Sequence, residues 1–123
     1  MLSCVAQTQI EIINADKISF NKKNNKDRQV LTGNVKTKHK DHFMSCDSAY
    51  YYANENKIEA FSKVYIWQGD TLSLKGDYLI YLGNYQLAEI TKNVRFRHNE
   101  MNLTSEQLKY NFKHNKGFFD QKA

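Results

Sequence analysis

Four carboxylates recur along the 123-residue chain at nearly constant intervals, and carboxylates can act as general acids and bases. Asp16, Asp47, Asp77 and Glu106 are separated by 31, 30 and 29 residues. A catalytic pair needs two acids in different surroundings, whereas a constant period gives each acid an equivalent structural place. We therefore expect Asp47 and Asp77 to cap turns by accepting backbone N–H hydrogen bonds. We predict no catalytic residue and no enzyme activity.

Histidine and cysteine offer a second kind of chemistry. His39 and His42 lie three residues apart with Asp41 between them, but a zinc site needs further converging ligands. Metal binding is therefore the less favoured interpretation, and we predict no metal and no cofactor. Cys4 and Cys46 lack a metal-type spacing. The favoured interpretation is a buried thiol at Cys46, and a single disulfide is the alternative.

The spacing of the acids belongs to a longer pattern that indicates the elements positioning them. An apolar residue stands three positions before each acid, and further apolar or aromatic residues stand two and four positions after it. Apolar residues alternate with polar ones, which is typical of strands, and Asn, Gly and Asp punctuate the gaps. A second anchor repeats in step at Gly33-Asn34-Val35, Ser62-Lys63-Val64 and Lys92-Asn93-Val94. This predicts an all-β, solenoid-like sandwich of about four repeats with eight to ten short strands.

Composition narrows the class of protein and its partners. An aromatic content of 13% argues against disorder, and no apolar run approaches the roughly 18 residues of a membrane-spanning helix. The net charge of +5 leaves nucleic acid, phospholipid or an acidic glycolipid as anionic partners.

The two ends of the chain carry separate expectations. We interpret residues 1–9 as a tail and residues 10–123 as the domain. Cys4 and Ala6 stand where the end of an export signal places small residues, and an ordinary tail is the equal alternative. The repeat places its next valine near position 123 or 124, so the fourth copy is expected to lack its closing strand. Such a chain is either part of a longer array or a module that stacks end to end.

Two successive copies carry a recognisable pattern, which comprises Gly33-Asn34-Val35, residues 45–51, residues 57–60, Val64-Tyr65-Ile66, residues 69–72 and residues 74–81. This pattern resembles the OstA-like family, which includes LptA and the N-terminal domain of LptD. The resemblance implies a twisted, open β-jellyroll in the periplasm or cell envelope of a Gram-negative bacterium. It also implies modules that join end to end by edge-strand addition and hold acyl chains of lipopolysaccharide in an apolar groove.

The resemblance implies that the apolar column, meaning the apolar residues that share one face of the repeated strands, is a lipid groove. Burying each acyl methylene in such a groove contributes about 0.8 kcal/mol to binding. The implied lining residues are Ile18, Phe20, Val35, Met44, Tyr51, Val64, Ile66, Leu72, Leu74, Leu79, Tyr81, Val94, Phe96, Met101, Leu103, Leu108 and Tyr110. Cations near the valine anchors are candidates for binding the phosphates of lipopolysaccharide or a related anionic glycolipid, namely Lys36, Lys38, Lys40, Arg95 and Arg97. The alternative for these cations is a solvated strand face.

Two further hypotheses compete with the lipid groove. The first is a structural β-repeat module with a self-filled core that binds only protein edges in the cell envelope. The second is single-stranded nucleic-acid binding through outward aromatic residues, for which Tyr65, Trp67, Tyr78 and Tyr85 are candidates. The predicted partners are lipopolysaccharide, related jellyroll transport components and further copies of the chain in a head-to-tail homo-oligomer. We predict no nucleic acid among them.

Overall fold

Strand pairing organises the whole of the computed structural model, which describes residues 8–23 and 26–119. Nine strands within these residues form one open antiparallel sheet, which confirms the all-β prediction. They are β1 (Glu11–Asn14), β2 (Lys17–Lys23), β3 (Lys26–His39), β4 (His42–Tyr52), β5 (Lys57–Gln68), β6 (Leu72–Leu82), β7 (Leu87–His98), β8 (Met101–Asn111) and β9 (Lys116–Phe119).

The strand order follows the sequence from β3 to β9, while β1 and β2 both pair with β3 and together form the first edge. Short 3-10 turns at Ala53–Glu55 and Gly83–Tyr85 connect β4 to β5 and β6 to β7. Within the described residues, no helix has the length and apolarity needed to cross a membrane. The predictions for Cys4, Ala6 and the anchor at 123 or 124 lie outside the described residues.

The strands from β3 to β8 are longer than the short strands we expected. Each valine anchor is a corner inside one continuous strand (β3, β5 or β7), and the paired strands β4, β6 and β8 continue past the same corners. At each corner, two successive residues adopt φ between 48° and 81°, a conformation that residues other than glycine seldom adopt. These pairs are Gly33 with Asn34, Ser62 with Lys63, and Lys92 with Asn93. Each pair lies where the pairing register shifts opposite the next strand, as in a β-bulge, and pairing then resumes. The chain therefore bends sharply without ending the strand.

The recurring acids brace these corners. Three of the four acids accept a hydrogen bond from a corner side chain on a later strand, and the bonds are Asn34 Nδ2 to Asp16 Oδ2 (2.9 Å), Ser62 Oγ to Asp47 Oδ2 (2.9 Å) and Asn93 Nδ2 to Asp77 Oδ2 (2.8 Å). The structural role expected of the acids is present, but the donors are side chains rather than backbone N–H groups. The reason is that the corner residues direct their own polar side chains toward the preceding acid.

The bends bring the two halves of the sheet together around one core. Val35 and Leu74 lie on one side of the corners, Leu31 and Leu79 lie on the other, and all four are at most 1% exposed. A small residue precedes each acid at the inside of the bend, and the set is Ala15, Cys46, Gly76 and Ser105. A Cβ atom on Gly76 would lie 2.7 Å from Ile90 Cγ1, which is too close for the neighbour to remain in place. The inside of the corner is therefore sterically restricted.

We predict that Gly76→Ala destabilises the fold by roughly 1 to 3 kcal/mol, because the added methyl overpacks against Ile90. Urea unfolding of the two proteins measures the difference. In an Ile90→Ala background the same substitution should cost much less, and an unchanged penalty in that double-mutant cycle would contradict the steric explanation.

Candidate functional site

The inward apolar column is covered through the middle of the sheet. The predicted groove residues that are buried are Val35, Met44, Tyr51, Val64, Ile66, Leu72, Leu74, Leu79, Tyr81, Val94, Phe96, Leu108 and Tyr110. They belong to one continuous hydrophobic cluster, so these side chains pack against one another. The column therefore fills the space between the two halves of the sheet.

The remaining predicted groove residues lie on β2 and β8, near the two edges of the sheet. Ile18 and Phe20 on β2 are 46% and 75% exposed, and Met101 on β8 is 48% exposed. Leu103 is partly buried against the core. Ile18 pairs with the buried Leu31, and cross-strand partners share a face, so Ile18 belongs to the inward column. The apolar column is closed in the middle and exposed at both ends.

The spaces along this column differ in size. A small cavity of about 20 Å³ lies beside Ile10, Ile66 and Tyr81, and it has room for roughly one water molecule. An open cleft of about 540 Å³ lies beside Phe20, Arg28 and Tyr51, where the β2–β3 hairpin extends past the core. The second volume is in the range of sites that bind small molecules, so the accessible apolar space lies at the exposed end of the column.

A buried polar network joins the two halves of the sheet at the β3–β4 hairpin. His39 and His42 are each 4% exposed and both contact the Tyr81 hydroxyl, with Nδ1 of His39 and Nε2 of His42 at 2.6 Å. His39 Nε2 lies 2.8 Å from the Thr8 carbonyl oxygen and must donate to it. A neutral His39 therefore accepts a hydrogen bond from the Tyr81 O–H at Nδ1, and the Tyr81 oxygen accepts a hydrogen bond from His42 Nε2–H.

This arrangement favours neutral imidazoles. His42 Nδ1 has no hydrogen-bond partner in the described part of the chain and lies 3.5 Å from Asp41 Oδ1. Burial lowers the pKa of His42 from 6.5 to about 4, and burial also lowers the pKa of His39. Within residues 8–23 and 26–119 no cluster of three metal-ligating side chains forms. The histidines instead act as a hydrogen-bonded link between β3, β4 and β6.

Sequence patterns missed the residues that tie the N-terminal segment to this end of the core. Asn56 is 1% exposed, accepts from the Ile10 backbone N–H (2.9 Å) and donates to the Thr8 carbonyl (2.9 Å). Phe112 stacks on His42 with ring centroids 4.1 Å apart. The signal available in the sequence was the position of Asn56, 30 residues before Gln86 and so in step with the repeat. In the structure both residues adopt a positive φ, 52° at Asn56 and 51° at Gln86. The buried side-chain role of Asn56 could not be inferred from that spacing.

The predicted phosphate-binding cations divide into two groups. Lys36, Lys38, Arg95 and Arg97 lie on the outer face of the sheet, opposite the apolar column. Lys40 lies apart from them in the β3–β4 turn, with Nζ 3.4 Å from Thr8 Oγ1. The first group lies in two rows of directly opposed residues that cross the sheet, and we call the two rows together the basic–aromatic face. One row is Lys36, Ser45, Tyr65, Lys75, Arg95 and Thr104. The other row is Lys38, Phe43, Trp67, Ser73, Arg97 and Asn102.

The single thiol that the structure describes has no chemical role at this site. Cys46 is a free, buried thiol whose Sγ–H lies 3.2 Å from the Ser48 carbonyl oxygen, which confirms the prediction of a buried Cys46. Burial raises its pKa to about 12, so the thiol stays protonated and unreactive near neutral pH.

We predict that stability falls by about 2 kcal/mol between about pH 7 and about pH 5 because of His42. Its folded pKa is depressed, so between 6.5 and about 4 the unfolded chain binds more protons than the folded chain. Stability is therefore lost as the pH falls through this window. Urea unfolding at both pH values measures the loss. His42→Gln should lose correspondingly less, and an equal loss in both proteins would contradict the assignment.

Comparison with known proteins agrees with this geometry. A scan against protein families matches residues 7–122 to the family described as OstA-like protein. A search of curated proteins finds no match. The match covers nearly the whole chain and includes every strand from β1 to β9. The chain is a member of the OstA-like family.

Proposed function

We propose that the chain is a periplasmic, lipid-binding bridge module in lipopolysaccharide transport to the outer membrane. The observation that carries this proposal is the inward apolar column, which is covered in the middle and exposed on β2 and β8. Membership of the OstA-like family supports a lipopolysaccharide-transport type of β-jellyroll. The role requires binding and release rather than bond making, so it needs no catalytic group.

Unpaired strand edges accompany the exposed apolar residues. Within the described residues, β9 pairs only with positions 108–111 of β8, so the outer side of residues 101–107 has no partner strand. β1 and β2 likewise pair with β3 on one side only. An unpaired edge presents backbone N–H and C=O groups to another strand. A related module, or a second copy, can therefore continue both the sheet and its apolar column.

Acyl chains fit the exposed ends of the column better than its middle. The small cavity of about 20 Å³ cannot hold an alkyl chain, whereas the open cleft beside Phe20 has about 540 Å³. In our proposal, acyl chains lie against Phe20, Ile18 and Met101 and cross from one module to the next. Hydrophobic burial is non-directional, which suits a carrier that must pass its cargo onward.

The small size of this cavity and the packed column favour a second candidate function, which is an interaction module of the cell envelope with a self-filled core. In that case the exposed ends of the column contact only the apolar column of a neighbouring module. The two functions differ in whether lipid reaches the ends of the column.

Photo-crosslinking separates these functions. We expect a benzophenone side chain at Phe20 or Met101 to capture lipopolysaccharide, because both positions extend the apolar column. The matched control is Tyr85, which is 69% exposed in the Gly83–Tyr85 turn. Adducts are detected by immunoblotting for lipopolysaccharide. Capture at Tyr85 alone, or at none of the three positions, would reject the lipid-binding function.

End-to-end joining predicts a second result. Met101→Lys should abolish concentration-dependent oligomers, because an inward-pointing charge at an open edge opposes edge-to-edge pairing. Met101 is 48% exposed, so the monomer should keep its stability. Sedimentation velocity over a concentration series measures the effect, with Thr104→Lys on the outer face of the same strand as control. Oligomers that persist in Met101→Lys, or a chain that stays monomeric throughout, would count against joining at this edge.

A further inference from the structure

We propose that the basic–aromatic face docks the protein on the surface of an anionic phospholipid bilayer. This face lies opposite the apolar column, so the role is separate from the lipid groove. Its two rows span β3 to β8 and contain five cations and no carboxylate. Strands lie about 4.8 Å apart, so the rows extend about 24 Å across the sheet. The charge is therefore spread over an area rather than gathered at a point.

The cations of this face are available for an external partner. Within residues 8–23 and 26–119, the salt bridges join other charged groups and none involves the five cations. In the described part of the chain, Arg97 donates to the backbone oxygen of Asp70 (3.2 Å). The acids at the corners, Asp47 and Asp77, already accept hydrogen bonds from Ser62 and Asn93. Glu11 flanks the rows at the β1 edge, opposite Lys38.

Aromatic rings form the floor between these cations. The Trp67 ring stacks on Tyr65 at 4.9 Å and on Phe43 at 5.5 Å between centroids. Lys36 Nζ lies 5.6 Å from the centroids of both Phe43 and Trp67, and Lys75 Nζ lies 5.1 Å above Tyr65. Trp and Tyr favour the boundary between lipid headgroups and water, and Lys and Arg favour anionic headgroups. The composition of the face therefore matches an anionic bilayer surface.

Nucleic acid fits this face less well. Single-stranded nucleic acid binds by stacking its bases on free aromatic rings. Here the faces of Tyr65 and Trp67 are taken up by each other, by Phe43 and by lysine ammonium groups. A base would have to displace these contacts before it could stack. Anionic lipid headgroups require no such displacement, because they bind the cations and not the faces of the rings.

Trp67 makes the test direct, because it is the only tryptophan in the chain and lies in the centre of the face. The full chain is mixed with vesicles of phosphatidylcholine alone or of phosphatidylcholine with phosphatidylglycerol, at low and high salt. We expect binding only to the anionic vesicles, with a blue shift of Trp67 emission and protection from iodide quenching. Binding should weaken steeply with salt.

Matched variants test which face binds. Combining Lys36→Gln, Lys75→Gln and Arg95→Gln should weaken vesicle binding about a hundredfold, or about fivefold per cation. The control combines Lys22→Gln, Lys109→Gln and Lys113→Gln, which removes the same charge from other surfaces and should retain most of the binding. Thermal unfolding of each variant checks that it is folded.

Several results would overturn the proposal. Equal loss of binding in both triple variants would mean that only net charge matters. Salt-independent binding with unchanged Trp67 emission would place the contact at the apolar ends of the column instead. Binding of a thymidine oligonucleotide that is stronger than vesicle binding, and is lost in the Lys36 triple variant, would assign the face to nucleic acid. None of these results depends on whether lipopolysaccharide occupies the groove.

Discussion

The corners, at which two successive residues adopt a positive φ, are the constraint on which the rest of the structure depends. A β-strand of L-amino acids does not fold back over itself unless some residues leave the extended conformation. Here two residues per corner do so, and an acid earlier in the chain holds the corner side chain by a hydrogen bond. Because pairing resumes after each bulge, one sheet covers both sides of its own core. The small residues inside the bend, such as Gly76, follow from the same geometry.

An open sheet of this kind has consequences for function. A closed barrel removes its edges, whereas this sheet ends in an unpaired side of β8 and an unpaired side of β1 and β2 within the described residues. The column of apolar side chains runs perpendicular to the strands, so it ends where the sheet ends. Ile18, Phe20 and Met101 are exposed for that reason and not because their own sequence differs from that of the buried copies. The same architecture gives a packed interior and leaves apolar side chains exposed on β2 and β8.

The fold also separates charge from apolar surface by the alternation of side chains along each strand. Val64 and Ile66 face the core while Tyr65 and Trp67, between them, face outward among lysines and arginines. At the β3–β4 end, His39, Tyr81 and the Thr8 carbonyl hydrogen-bond to one another where polar groups enter the core, and His42 Nε2 joins them at the Tyr81 hydroxyl. The alternation thus keeps the interior apolar and places the cations of β3 to β7 on the outer face.

Local regularities of the sequence determined the fold class, the repeat and the positions of the corners, because side-chain alternation and turn preferences depend on near neighbours. They also grouped the apolar column correctly, since period two assigns residues to a face. Tertiary structure alone decided which members of the column are exposed, because exposure at Phe20 or Met101 depends on whether another strand lies beside them. It alone brought Tyr81 to two histidines about 40 residues away and aligned Lys36, Lys75 and Arg95 in one row. Register and bending set these contacts, and both are properties of paired strands rather than of any single segment.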